Sequence, residues 1–467
     1  MRKTWIGVIL MLCHLWIPCT LGAEDDESIT LRKLTLSPMP EAREALKYRL
    51  LIPVSQLKNA NAALLYQNAV AHCPQDGDNK LFDKIDQWRE MPIDQLPQDE
   101  VDKALEAFRA SFRCVGLAAF RSRCEWDMPM EEGFAMLIPS LSTYRKIAKA
   151  LAVKVRLDMA KGRIDEVLNT LTAGLAMGRG VADGPTLIQD LVGISISATM
   201  FKQIGEFVAM PGAPNLYWAL TELPVPWIDL RQSMSHEFDL MYWEIPELRD
   251  LDKEILSEAQ ATALVSTTFK KFTEAGLWDH TEFSVLPLAW VMMHYVDAKT
   301  FLAEWGMDAS RIEAMPAAQA VMLYQFLEFK DVRDDMFKWL TLPYAQYRER
   351  SKEYDKALDR VMNRGFKSNL FAMYLPALSR VRFLGVRLCR DIDLLRTIEA
   401  LRLHAAANQG RFPNTLNDVT VVPIPNDPVT GDPFVYDSTD ARHVRLEAPE
   451  AEEQTHKRPV FELALRP

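Results

Sequence analysis

The sequence predicts a mainly α-helical protein: an irregular stack of antiparallel helical hairpins that ends in a small α+β module. Apolar residues recur at helical spacing through most of the chain, and strand-like alternation among turn residues is confined to its last part. A basic and then apolar stretch at the N-terminus marks the chain for export.

Met1-Arg2-Lys3 is a basic start, residues 6–17 are mostly apolar, and Gly22 and Ala23 are small enough for cleavage. Residues 1–23 therefore read as a secretory signal peptide, too short for a comfortable bilayer span. The mature protein is expected in the periplasm or secreted, and not integral to the membrane after signal cleavage. The closest later apolar run, 283–296, is interrupted by Pro287 and His294. The expected organisation is 1–23 signal peptide, 24–368 helical body, and 369–467 a long helix with the α+β module. The net charge is −10, and losing Arg2 and Lys3 makes it more negative. An acidic chain without a basic stripe excludes nucleic acid as a partner. Cys73, Cys114, Cys124 and Cys389 remain after the leader, with no C-x-x-C spacing, and no bridge is assigned.

Residues 41–72 carry Leu46, Leu50, Leu51, Leu57, Leu64 and Leu65, a helical pattern broken by Pro53. Residues 98–120 repeat Val101, Leu105, Phe108, Phe112, Val115 and Ala119 at amphipathic spacing. The clearest pair is 144–160 and 164–177, with Asp165 and Glu166 where the second helix's dipole favours acids. Its turn, Lys161-Gly162-Arg163-Ile164-Asp165-Glu166, resembles the hairpin turn of tetratricopeptide repeats, present here in one copy. Residues 186–209 and 216–223 form the next pair.

Near the C-terminus, Leu394, Leu395, Ile398, Leu401 and Ala405 share one helix face; Gly410 suits a C-cap and Pro413 forbids continuation. Pro425, Pro428 and Pro433 then impose turns, and 434–436, 443–446 and 460–465 read as a three-stranded antiparallel sheet. The order helix, Asn408-Gln409-Gly410-Arg411-Phe412-Pro413, then Asn426-Asp427-Pro428-Val429-Thr430-Gly431-Asp432-Pro433-Phe434-Val435-Tyr436, resembles the soluble C-terminal part of type II secretion pseudopilins. The pilin leader and membrane helix do not precede it. Arg380, Arg382, Arg387 and Arg390 on the preceding helix would each be costly at a bilayer centre, so polymerisation as a pilin is not expected. Some pseudopilins bind calcium near the corresponding loop, and the resemblance makes Asp427, Asp432 and Asp437 the candidate oxygen ligands.

The middle of the chain holds Trp218, Trp227, Tyr242 and Trp243, candidate stacking platforms for a bound ligand, with Trp278, Trp290 and Trp305 further on. His236, Glu237, Asp239 and Glu244 are the one group from which an acid/base pair could be drawn, although acids on an exposed helix face are the default. The stretch 211–231 resembles uncharacterised exported bacterial proteins, which implies no activity. No nucleophile elbow, phosphate loop, dinucleotide fingerprint or H-E-x-x-H motif occurs, and no catalytic residue is assigned. The expected role is a non-catalytic binding or scaffold protein whose partner is another envelope or secreted protein. The alternatives are a carbohydrate-active enzyme using residues 218–247, or an accessory part of a type II secretion or pilus-like system.

Overall fold

The computed structural model describes residues 29–44, 46–75, 79–136, 140–274, 287–362, 369–372, 375–451 and 457–466. The expected signal peptide and Trp278 lie outside them. The helices, in chain order, are α1 Ala63–Ala71, α2 Asn79–Glu90, α3 Gln98–Leu105, α4 Arg109–Ala119, α5 Leu141–Ala160, α6 Ile164–Ala182, α7 Leu187–Val208 and α8 Tyr217–Thr221. They continue with α9 Arg231–Glu244, α10 Glu258–Glu274, α11 Pro287–Glu304, α12 Ala309–Ala314, α13 Ala317–Leu340, α14 Tyr344–Met362 and α15 Leu375–Ala407. The strands are β1 Ile29–Leu36, β2 Lys58–Asn61, β3 Arg121–Arg123, β4 Val435–Asp440, β5 His443–Glu447 and β6 Arg458–Leu465. The chain is thus mainly helical with a small sheet at its end, as the sequence predicts. No helix among the described residues is long and apolar enough to cross a membrane.

Two compact units are interleaved in sequence. One, the terminal unit, comprises 29–126, Ser140–Leu230 and 382–466; the other, the inserted unit, comprises Asp127–Pro139 and Arg231–Val381. The expected boundary at 368 does not coincide with this division.

The terminal unit is built around α5, α6 and α7. Gly162, at φ +67°, makes the tight turn between α5 and α6. The helices α6 and α7 meet through small residues: a Cβ on Gly193 would collide with the Gly178 carbonyl, and one on Gly178 with Ser197 Oγ. Backbones that approach so closely exclude even alanine. Around them Ile147, Leu171, Leu175, Ile196, Ile204 and Phe207 form one core with no more than 2% exposure each. Truncating Phe207 to alanine there would cost about 3–5 kcal/mol.

The predicted helix over 41–72 is only partly present. Helix α1 begins at Ala63, and Lys58–Asn61 is instead a strand parallel to Arg121–Arg123. Pro53 stops a helix from entering this segment, and Lys58 N–H finds its acceptor in Phe120 O, at 2.8 Å. Helix 98–120 is likewise divided, by a 3-10 turn at Glu106–Phe108.

The C-terminal sheet has four strands rather than three, in the order β1-β6-β5-β4. The predicted antiparallel strands are there, and β1 adds a parallel edge to β6 in the register Ile29↔Arg458 to Leu36↔Leu465. One face carries Leu36, Val444, Leu446, Phe461, Leu463 and Leu465 into the core. The other bears a charged row across all four strands, Lys33, Glu462, Arg445 and Asp437, with alternating sign.

A clamp on α15 ties remote segments of this unit together. Glu399 and Arg402 are fully buried and ion-paired at 2.8 Å. Arg402 also donates to Ser37 O (3.1 Å), Ala213 O (2.7 Å) and Pro214 O (3.3 Å). The Asn215 amide donates to Glu399 O (2.9 Å) and to Glu399 Oε2 (2.6 Å), while Leu216 N–H donates to Glu399 Oε1 (3.1 Å). Burial raises the Glu399 carboxyl pKa, and Arg402 is the main opposing influence.

The inserted unit repeats this seat with different partners. The Asn369 amide donates to Gln325 O (2.7 Å) and Glu328 Oε2 (3.0 Å), and Leu370 N–H donates to Gln325 Oε1 (2.8 Å). In both places an Asn-Leu-aromatic step docks on a helix through the Asn amide, and the aromatic N–H returns to the Asn Oδ1. The unit's core joins Phe272, Phe326, Phe329 and Phe371 in one aromatic cluster. Arg333 is 1% exposed, with its guanidinium 3.4 Å from the centroid of Phe238.

Candidate functional site

The candidate platform residues fall into two pairs, one in each unit. In the terminal unit, Trp227 is a core residue, 2% exposed. Its Nε1–H donates to Ser197 Oγ at 2.9 Å, Phe201 meets its ring edge-on and Arg179 lies over it. It is a packing residue, not an open platform. Trp218 is 38% exposed, held edge-on by Tyr217, and Tyr217 Oη donates to Pro423 O at 2.5 Å. In the inserted unit, Tyr242 is half-buried against Phe326, and Trp243 is 37% exposed. Trp218 and Trp243 are therefore the two members of the set with an open ring surface.

The acids of α9 depart from the expected exposed face. Glu237 and Glu244 are buried, whereas His236 is exposed and its Nδ1 contacts Gln232 O at 2.9 Å. Glu244 pairs with Lys271 at 3.3 Å and lies against Gly133, whose positive φ of 52° lets the backbone approach the carboxylate. The burial of Glu237 and Glu244 was not legible in the pattern of α9, where polar and apolar residues are mixed around the helix.

Of the candidate calcium ligands, Asp427 is engaged by other groups. Asp427 is fully buried and accepts two hydrogen bonds from Arg390, each 2.7 Å, in the bidentate arrangement typical of arginine and carboxylate. Val429 N–H, Thr430 N–H and Thr430 Oγ1 also donate to it, at 3.3, 3.2 and 3.1 Å. Both carboxylate oxygens are thus occupied by the turn and by α15. Asp432 and Asp437 are exposed. Among the described residues no three His, Cys, Asp or Glu side chains group so as to hold a metal ion. The four cysteines Cys73, Cys114, Cys124 and Cys389 are all free.

An open dish of about 560 Å³ lies on the outer face of the sheet, lined by Lys33, Thr35, His443, Arg445, Glu462 and Ala464. Its charges engage one another: Lys33 meets Glu462 at 3.3 Å, Arg445 pairs with Glu447, and His443 Nδ1 lies 2.9 Å from Asp440.

The surface feature that motif reasoning passes over is on α11. Leu288, Met292 and Val296, spaced i, i+4 and i+8, are 66%, 73% and 72% exposed. The opposite face buries Trp290, Val291, His294, Ala298 and Leu302. The signal lies in composition: 287–296 contains no Asp, Glu, Lys or Arg, so the first half of the helix has no charged side chain to offer water. No family model, curated protein or solved structure matches this chain.

Proposed function

We propose that the protein is an exported, non-catalytic binding or scaffold protein of the cell envelope that engages another envelope or secreted protein. The observation that supports this is the uncharged outer face of α11, with Leu288, Met292 and Val296 in water. Burying each such side chain is worth about 1.5–3 kcal/mol, and methionine adapts its shape to a partner surface. Two of the aromatic and acidic groups that would furnish a catalytic cleft are committed to packing and ion pairs: Trp227 to Ser197 and Glu244 to Lys271. The test is the double variant Met292→Glu/Val296→Glu. It should fold with unchanged circular dichroism, because both sites are exposed, and should lose envelope proteins that co-purify with the natural chain. Retention of the same proteins by the variant would contradict the proposal.

A second reading, a carbohydrate-active enzyme, is favoured by the burial of Glu237 and Glu244 on α9 near the exposed Trp243. Seven residues along a helix separate their Cα atoms by about 10.5 Å. The carboxyls of inverting glycosidases stand roughly 6.5–9.5 Å apart, a separation side chains converging from those positions would reach. Release of reducing sugar from a polysaccharide panel, abolished by Glu237→Gln, would establish this reading; no release from any member would remove it. The likeness of the C-terminal module to pseudopilins makes a type II secretion or pilus-like system the first assembly in which to seek the partner.

A further inference from the structure

The terminal unit carries a second exposed apolar surface, and its surroundings have a definite charge. Helices α1 and α4 pack antiparallel: Ser111 Oγ donates to Ala69 O (2.7 Å) at one end, and Ala62 N–H donates to Arg123 O (2.8 Å) at the other. This pairing sets Leu64 level with Gly116 and Leu117. Leu64 and Leu117 are 64% and 47% exposed, and a Cβ on Gly116 would meet nothing within 4 Å. The ridge continues through Phe120, 37% exposed, whose carbonyl is bonded to Lys58 N–H, and Val54, 84% exposed, lies in the turn just before that strand.

The margin is basic although the protein as a whole is acidic, with net charge −10. The marginal acids Glu106 and Glu125 are engaged by Arg109 and Arg123, at 3.4 and 3.1 Å. Lys58, Arg113 and Arg121 belong to the same helices and strands, and they enter no ion pair among the described residues. An apolar ridge beside uncompensated cations is complementary to a surface with apolar anchors flanked by carboxylates.

We propose that this ridge docks an acidic amphipathic segment of a partner protein. Its apolar side chains seat on Leu64, Leu117 and Phe120, and its carboxylates face Lys58, Arg113 and Arg121. Carboxylates flanking its apolar side chains meet cations that enter no ion pair among the described residues, and that charge complementarity selects this partner. The inference rests on the binding-protein reading but uses a different unit and different residues from the α11 face. Variants at Met292 and Val296 leave it untouched, so the two can fail separately.

The test uses the whole protein and three probes: a fluorescent helical peptide of leucine and glutamate with apolar residues at i, i+3, i+4 and i+7, the same peptide with lysine for glutamate, and phosphatidylcholine vesicles containing phosphatidylglycerol. The glutamate peptide should bind at least ~10-fold more tightly than the lysine peptide and weaken as salt screens the pairs. Leu64→Ser/Leu117→Ser and Lys58→Glu/Arg113→Glu should each reduce that binding by ~10-fold or more. All four sites are exposed, and unchanged circular dichroism will show that the variants fold. Equal binding of the two peptides, indifference to these substitutions, or binding of vesicles in preference to the glutamate peptide would overturn the proposal.

Discussion

The side-chain amide of Asn215 bridges both the carbonyl and the carboxylate of Glu399, 184 residues away in sequence. Glu399 is in turn neutralised by Arg402, so three fully or partly buried polar groups are satisfied only together. The Asn215→Ala variant strips one donor from a buried carboxylate and one from its backbone carbonyl, and should lose about 1–3 kcal/mol of stability. Arg402→Met leaves Glu399 unpaired in the core and should cost more, about 3–5 kcal/mol. Because both act on one carboxylate, the double variant should fall short of the sum by about 0.5–3 kcal/mol, measurable by urea denaturation.

His404, on the last turns of α15, is 9% exposed. Burial lowers its pKa below the ordinary 6.5, against the pull of Asp418. The unfolded chain binds this proton near pH 6.5 and the folded chain only at lower pH. Between those values the unfolded state holds more protons, so stability falls as pH falls. His404→Gln should therefore lose less stability than the natural chain between about pH 7 and pH 5, compared by urea midpoints. An identical loss in both would assign the acid sensitivity elsewhere.

Thiol chemistry should follow burial. Burial pushes Cys73 and Cys389 up to about 11 and raises Cys124 as well, whereas Cys114 is only half-buried. Thiolate is the reactive form. Iodoacetamide at about pH 8 should therefore label Cys114 first, and the other three only after denaturation, as read by peptide mass spectrometry. With all four cysteines free, a reducing agent should leave the melting temperature unchanged.

Helices α5, α6, α7 and the last half of α15 were legible because each repeats an apolar face over several turns, and the strands 443–446 and 460–465 because Pro449 and Pro459 set them apart. The strand β1 was not, since its partner β6 lies over 400 residues away and no local pattern records a parallel pairing. The segment 41–62 misled for the opposite reason: its leucines fall at helical spacing, yet Pro53 and the pairing of Lys58–Asn61 with Arg121–Arg123 decide its conformation. At the candidate sites, residue type alone could not tell Trp227, a core ring, from Trp218, an exposed one. Asp427 reads as a turn or ligand residue until Arg390, 37 positions earlier, is brought against it. The α11 face was concealed because an apolar helix normally reads as core, and only three-dimensional packing reveals the side left bare.

The binding role is tested most directly by photocrosslinking in the cells that make the protein. A photoreactive residue would replace Met292 on α11, with exposed Lys270 on α10 as the control position. A discrete adduct with an envelope or secreted protein is expected from position 292 and none from position 270. The same adducts from both positions, or none from either, would contradict the binding role.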